Sequence, residues 1–206
     1  MLPIWLIKLG FHLLYYQFAW TYDLVAWVVS WGQWAAWRRL ALKFLQPGPT
    51  LELAYGTGAF FIDLQQHGYQ PVGIDLSPYM ARLAHRRLQR QHLAGVLCQA
   101  KAQKLPFPDH HFSNIVATFP TEYIFQPATL QEITRLLQPH GRLVVVLEGQ
   151  LRGPWPIQPF LVWLYKITGQ HEPQPIPTWS SATLPGQWHW AEEHGAAAWL
   201  LVAEKP

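Results

Sequence analysis

The chain has 206 residues, 50% hydrophobic and 13% charged, so it can bury a core and is not disordered as a whole. Fifteen Lys and Arg against twelve Asp and Glu leave a surplus of three with no basic tract, which argues against nucleic acid as a partner. A single cysteine, Cys98, excludes an intrachain disulfide framework or a Cys-rich zinc site, and no metal is expected. The lone thiol fits a reducing compartment, and a cytoplasmic location is the expectation.

Twelve tryptophans divide the chain into three parts. Trp5, Trp20, Trp27, Trp31, Trp34 and Trp37 fall in an N-terminal arm, none occurs from Arg38 to Pro154, and Trp155, Trp163, Trp179, Trp188, Trp190 and Trp199 follow. Seven of the eighteen prolines lie between Pro154 and Pro185. The expected organisation is an aromatic helical arm over residues 1–45 and one domain over residues 46–206, the latter carrying a Pro/Trp-rich insertion at 149–186.

Lys8, Asp23 and Arg38 interrupt the arm and leave uncharged stretches of fourteen residues, short of the roughly 20 apolar residues that a spanning helix needs. A signal peptide also fits poorly, since no basic segment precedes the apolar run. Two helices, about residues 2–20 and 22–45, are expected instead, the second keeping Leu24, Trp27, Val28, Trp31, Trp34 and Ala35 near helical spacing. Such a stripe reads as core or as a lid over a pocket. Its Trp, Tyr and scattered basic residues also suit peripheral contact with a membrane, or pairing with a second copy.

From Pro49 to Glu148 short apolar runs alternate with helical stretches, the pattern of repeated β-α units and a mainly parallel, doubly wound α/β sheet. Strands are expected at Thr50–Ala54, Pro71–Asp75, Gly95–Gln99, Phe112–Thr118 and Arg142–Glu148, the last opened by Pro139-His140-Gly141. Helices are expected at Ala59–His67, from Ser77-Pro78 to about His92, and at Ala128–Leu137. Ser77 supplies an N-cap hydroxyl and Pro78 suits the first turn. Arg82, Arg86, Arg87 and Arg90 fall mostly opposite the apolar face of that helix and read as solvated. A further helix is expected at Pro159–Thr168, and Gln187–Glu193, His194-Gly195 and Ala196–Glu204 read as a C-terminal β-hairpin.

The informative stretch is Leu51-Glu52-Leu53-Ala54-Tyr55-Gly56-Thr57-Gly58, a buried strand running into a glycine turn and then a helix. Glycine lets a ligand approach the main chain, and the helix N-terminus offers free amides. Seventeen residues beyond Gly58, Asp75 ends the next strand, where a carboxylate can accept from both ribose hydroxyls of a nucleoside. A dinucleotide fingerprint needs a third small residue, and that position holds Phe61.

Leu51 to Gly58 resembles the E/D-x-G-x-G-x-G first motif of class I S-adenosylmethionine-dependent methyltransferases, and Val72 to Ser77 resembles their acidic second motif. Lys104-Leu105-Pro106-Phe107-Pro108-Asp109 with Phe112 is similar to their LPFxDxxF segment, and Leu130 to Leu147 to the helix, turn and strand that follow. The resemblance covers residues 50 to 148. Within the arm, Tyr22-Asp23-Leu24, Ser30, Gly32 and Trp37-Arg38-Arg39 resemble the start of the ubiquinone and menaquinone C-methyltransferase subgroup. Three positions depart from the family pattern: Ala54 stands for the first glycine, Tyr55 for a small residue, and Lys101 for the acid that would meet the adenine amino group.

The resemblance implies S-adenosylmethionine as cofactor and a small, hydrophobic acceptor methylated at carbon or oxygen. It implies that Glu52, Ala54, Tyr55, Gly56 and Gly58 lie at the methionine end, with Glu52 facing the ammonium. Asp75 would hold the ribose, Leu76 and Met80 would flank the adenine, and Gln103, Lys104 and Thr118 would lie close by. Phe119 and Tyr123 are candidates to pack on the acceptor, and Glu122, Tyr123 and His12 to move a proton. Against these roles, the preferred plain readings are a helix-capping acid for Glu122 and a core or surface histidine for His12. His110-His111 reads as a surface turn. The rival from another class is a non-catalytic binding or scaffold protein on the same fold; a nicotinamide oxidoreductase is opposed by Phe61 and an RNA methyltransferase by the missing basic tract.

Overall fold

The computed structural model describes Ser30, residues 32–150, Trp179 and residues 181–206. The chain runs α1 (Trp34–Arg39), a 3-10 turn (Leu40–Phe44), β1 (Thr50–Leu53), α2 (Ala59–Gln66), β2 (Pro71–Asp75), α3 (Pro78–Arg90), β3 (Val96–Gln99) and β4 (Phe112–Thr118). A second 3-10 turn (Glu122–Phe125), α4 (Pro127–Leu136), β5 (Leu137–Gln150), β6 (Gly186–Glu193) and β7 (Ala196–Glu204) complete it. The strands form one sheet in the order β3-β2-β1-β4-β5-β7-β6. β1 to β5 pair in parallel, and β7 pairs antiparallel with both β5 and β6. The doubly wound parallel sheet and C-terminal hairpin are those expected, and the order reverses between β1 and β4, where open α/β sheets present a crevice.

Each sheet face carries its own core. Leu51, Leu53, Ile115, Leu143 and Val145 pack with Ile133 and Leu136 of α4 on one face. Val116, Val144 and Val146 pack with Trp37, Leu40, Phe60 and Leu64 of α1, the 3-10 turn and α2 on the other. α3 starts as its sequence dictates: the Ser77 hydroxyl accepts from Met80 N at 3.3 Å and Pro78 occupies the first turn.

Phe61, fully buried with Ile62 and Leu88, sits where the dinucleotide fingerprint wants a small residue. Space for it comes from β3's lead-in, because a Cβ on Gly95 would lie 2.5 Å from the Phe61 ring. Tyr55 is accommodated in the same way, by Gly73, whose Cβ would lie 2.7 Å from Tyr55 Cδ1.

Three expectations need correction. The arm helix over 22–45 is not continuous, because Gly32 takes φ +77 and the described helix restarts at Trp34, whose N–H donates to Ser30 Oγ at 3.1 Å. The Pro139-His140-Gly141 turn does not precede β5 but lies within it as a bulge: Leu137 pairs with Phe112, then Arg142 with Asn114. Arg87 is not on the solvated face; its Nη1 donates to Thr57 Oγ1 at 2.8 Å, whereas Arg82, Arg86 and Arg90 are exposed as expected. The helices expected at 2–20 and Pro159–Thr168 lie outside the described residues, as do His12 and Trp155.

α1 is fastened in two places. Trp37, 2% exposed, lies flat over Gly149 of β5, where a Cβ would enter the indole ring. Arg38 and Arg39 each direct Nε at the buried Asp63 carboxylate of α2, at 2.7 and 3.0 Å. On the opposite face Arg135 holds the loop before β4, donating to Asp109, Glu132 and the carbonyls of Leu105 and Phe107.

Candidate functional site

A cavity of about 810 Å³ opens at the carboxyl ends of β1, β2 and β4, the place the strand reversal creates. Its lining includes Glu52, Ala54, Tyr55, Gly56, Asp75, Leu76, Met80, Ala100, Lys101, Ala102 and Gln103, together with Trp34, Phe119, Pro120, Thr121 and Tyr123. Arg38 and Thr118 also line it.

The glycine loop turns by three left-handed residues, Ala54 (φ +56), Gly56 (φ +56) and Gly58 (φ +74). At Gly56 nothing lies within 4 Å of a Cβ, so the main chain is open to a ligand there; at Gly58 a Cβ would lie 2.9 Å from Ala84 Cβ, so this glycine lets α2 close on α3. Ala54 adopts the conformation that its glycine counterpart takes without strain, and carries about 1 to 2 kcal/mol of backbone strain for doing so.

Asp75 ties the loop to the next turn, with Oδ2 accepting from Gly56 N and Oδ1 from Ser77 N, both at 2.8 Å. A carboxylate has about four acceptor positions, so each oxygen keeps a lone pair for a hydroxyl. Partial burial raises its pKa while the N–H groups of Ser77, Gly56 and Leu76 oppose the rise. Leu76 is 57% exposed beside it and Met80 is buried beneath, an apolar pair around the far end of the cavity.

Glu52 lies on central strand β1, 1% exposed, on the face that α1 and α2 cover. Burial raises its pKa to about 8, against the lowering pull of the Arg38 guanidinium. Its Oε2 has no hydrogen-bond partner among the described residues. An orphaned carboxyl oxygen at a ligand cavity fits a cationic group such as an α-ammonium, so the residues present suit an amino-acid-bearing nucleoside.

Phe119 lines the same cavity, held at φ +50 by its N–H bond to Val146 O at 2.8 Å. Its ring meets Trp34 at a centroid distance of 4.1 Å and Trp37 at 6.4 Å. A strained aromatic residue over-determined by its neighbours is a common feature of ligand sites.

Of the residues singled out from the sequence, Glu52, Ala54, Tyr55, Gly56, Asp75, Leu76, Met80, Gln103, Thr118 and Tyr123 share this cavity. Gly58 stands behind it, and Lys104 and Glu122 are exposed outside its lining. Trp34 and Arg38 were not among the candidates. The pairing of a basic residue with Asp63, itself buried within α2, is a signal that only the folded contact reveals.

Residues 51–145 match the methyltransferase domain family. A demethylmenaquinone methyltransferase of Thermus thermophilus is 35% identical over 131 residues, covering 61% of this chain and 60% of that protein. One from Deinococcus radiodurans is 31% identical over 156 residues, covering 73% and 63%. The chain therefore spans under two thirds of the length of these relatives. Among solved structures, a SAM dependent methyltransferase from Aquifex aeolicus superposes with a TM-score of 0.56 at 18% identity, covering 82% of this chain and 93% of that one, a likeness of fold. Residues 51–145 of this chain are thus similar to a methyltransferase domain, on a fold shared with solved methyltransferases.

Proposed function

We propose that the chain is an S-adenosylmethionine-dependent methyltransferase acting on a small, hydrophobic acceptor at carbon or oxygen. The observation that carries this reading is one cavity that brings the glycine loop, Glu52 and Asp75 together with the aromatic residues Trp34, Phe119 and Tyr123. Glu52 would meet the ammonium, Arg38 the α-carboxylate, Asp75 the ribose hydroxyls, and Leu76 and Met80 the adenine faces. When bound, the cofactor supplies an activated methyl on its sulfonium.

The chain's own contribution is then alignment and exclusion of water. Trp34 and Phe119 would confine a flat acceptor, and Tyr123, which also lines the cavity, would take or relay its proton. The two relatives named above are demethylmenaquinone methyltransferases, which supports an acceptor with an apolar ring. The apolar arm supports a peripheral membrane contact through which such an acceptor would be reached; among the described residues no helix is long and apolar enough to cross a membrane.

The test is calorimetric titration with S-adenosylmethionine, with NADH as the competing ligand class and Asp75→Ala and Asp75→Asn as variants. Micromolar binding of S-adenosylmethionine alone, lost in Asp75→Ala, is expected, followed by turnover in a screen of quinone, phenol and lipid acceptors. A folded protein that fails to bind it would leave the non-catalytic scaffold in its place.

A further inference from the structure

Glu52 is an unusual group to find beneath a sheet face. It is 1% exposed, Oε2 lacks a partner among the described residues, and the side chain lines the cavity. A carboxylate that is 1% exposed is poorly solvated, so its ionised form depends on the fixed charges nearby. Four ionisable groups face it. Arg38 approaches from α1 and Asp63 from α2, while Asp75 stands at the end of β2 and Tyr55 follows β1. Arg38 already spends its Nε on Asp63, and Arg39 is bound to the same carboxylate. The remaining influences on Glu52, from Asp63 and Asp75, are both repulsive to a second negative charge.

We propose that the free protein keeps Glu52 protonated and that the α-ammonium of the cofactor replaces this proton, so that cofactor uptake releases one proton to solvent. The balance is simple: the carboxyl O–H bond breaks, the proton passes to buffer, and the carboxylate left behind pairs with an ammonium that stays charged. The direction agrees with the burial-driven rise of Glu52 to about 8, which leaves it neutral at pH 6.5. At that pH an α-amino group, with an ordinary pKa of about 7.7 to 8.0, is already protonated. Binding of the amino-acid end is therefore weakened by acid and strengthened toward neutrality, whereas binding of the nucleoside end is not. The inference rests on the cofactor reading above and adds a proton linkage to it.

Calorimetric titration of S-adenosylhomocysteine at pH 6.5 in phosphate and in imidazole, buffers of small and large ionisation enthalpy, counts the protons released. The expected result is about one proton per ligand, with affinity rising about tenfold per pH unit from pH 6 to 7. 5′-Methylthioadenosine, which lacks the amino-acid end, should bind the wild-type protein with no proton release. Glu52→Gln should bind S-adenosylhomocysteine more weakly, with no release and a flat pH profile. Binding by the wild type with no proton release overturns the inference alone, as does equal release with 5′-methylthioadenosine. No binding of either nucleoside by folded wild-type protein overturns the cofactor reading itself.

Discussion

Ala54→Gly should make the protein more stable, against the usual cost of removing a side chain. Ala54 sits at φ +56, where an L-residue carries about 1 to 2 kcal/mol of strain that glycine does not. Against this, glycine adds freedom to the unfolded chain, worth about 0.4 to 1 kcal/mol. The lost methyl is exposed at the cavity, so burial contributes little. The balance is a gain of about 0.8 kcal/mol at mid-range, between about 0 and 1.6 kcal/mol at the extremes. Two neighbours supply the controls. Gly56→Ala adds a methyl at φ +56 into open space and should cost about 1 kcal/mol, all of it conformational. Gly58→Ala at φ +74 adds the contact with Ala84 Cβ and should cost more. Urea denaturation of the four proteins at one pH gives the ordering as shifts in midpoint with unchanged slope. A less stable Ala54→Gly protein, or equal losses for Gly56→Ala and Gly58→Ala, would refute the strain reasoning.

Three further outcomes follow from contacts described above. With Glu52 raised from 4.5 to about 8, the folded state keeps a proton that the unfolded chain releases, so wild-type stability falls as pH rises from about 5 to 8. Glu52→Gln should remove that slope and be the more stable at pH 8, by up to about 4 kcal/mol at 1.36 kcal/mol per unit; thermal melts across pH that run parallel for both would disprove it. Gly149→Ala should push the Trp37 indole off β5 and cost about 1 to 3 kcal/mol, read as a lower melting temperature, with no change meaning that the arm is not seated there. Arg38→Gln should weaken S-adenosylhomocysteine roughly 10-fold or more, the worth of a charged hydrogen bond, while sparing decarboxylated S-adenosylmethionine; equal losses for both would make Arg38 structural.

The sheet was legible because each strand is a short apolar run closed by a turn residue, and the glycine loop with Asp75 marked the cavity because a strand, two glycines and a strand-end acid are local features. What escaped depends on reach. Arg87 lies on the polar side of α3 by helical angle, yet its long side chain swings to Thr57. Arg38 was recognised only as part of a resemblance, since its place between Asp63 and the cavity requires α1 and α2 to be packed. The break at Gly32 was hidden by Trp spacing that continues across it, and the β5 bulge by a Pro-His-Gly run that looks like a terminator. Nearness along the chain suggests Lys104 and Glu122, yet both are exposed, Glu122 at the start of a 3-10 turn, and neither lines the cavity.

Tyr55 and Phe61 have implications for how this sequence can change over generations. Each large ring occupies space ceded by a glycine on a different strand segment, Gly73 for Tyr55 and Gly95 for Phe61. Replacing either ring with a small residue would, by itself, open a void, and enlarging either glycine by itself would produce a collision. Exchange is open only when both members move together or when an intermediate-sized residue bridges the steps. A redesign that edits one position of either pair at a time would therefore travel downhill in stability before it recovered.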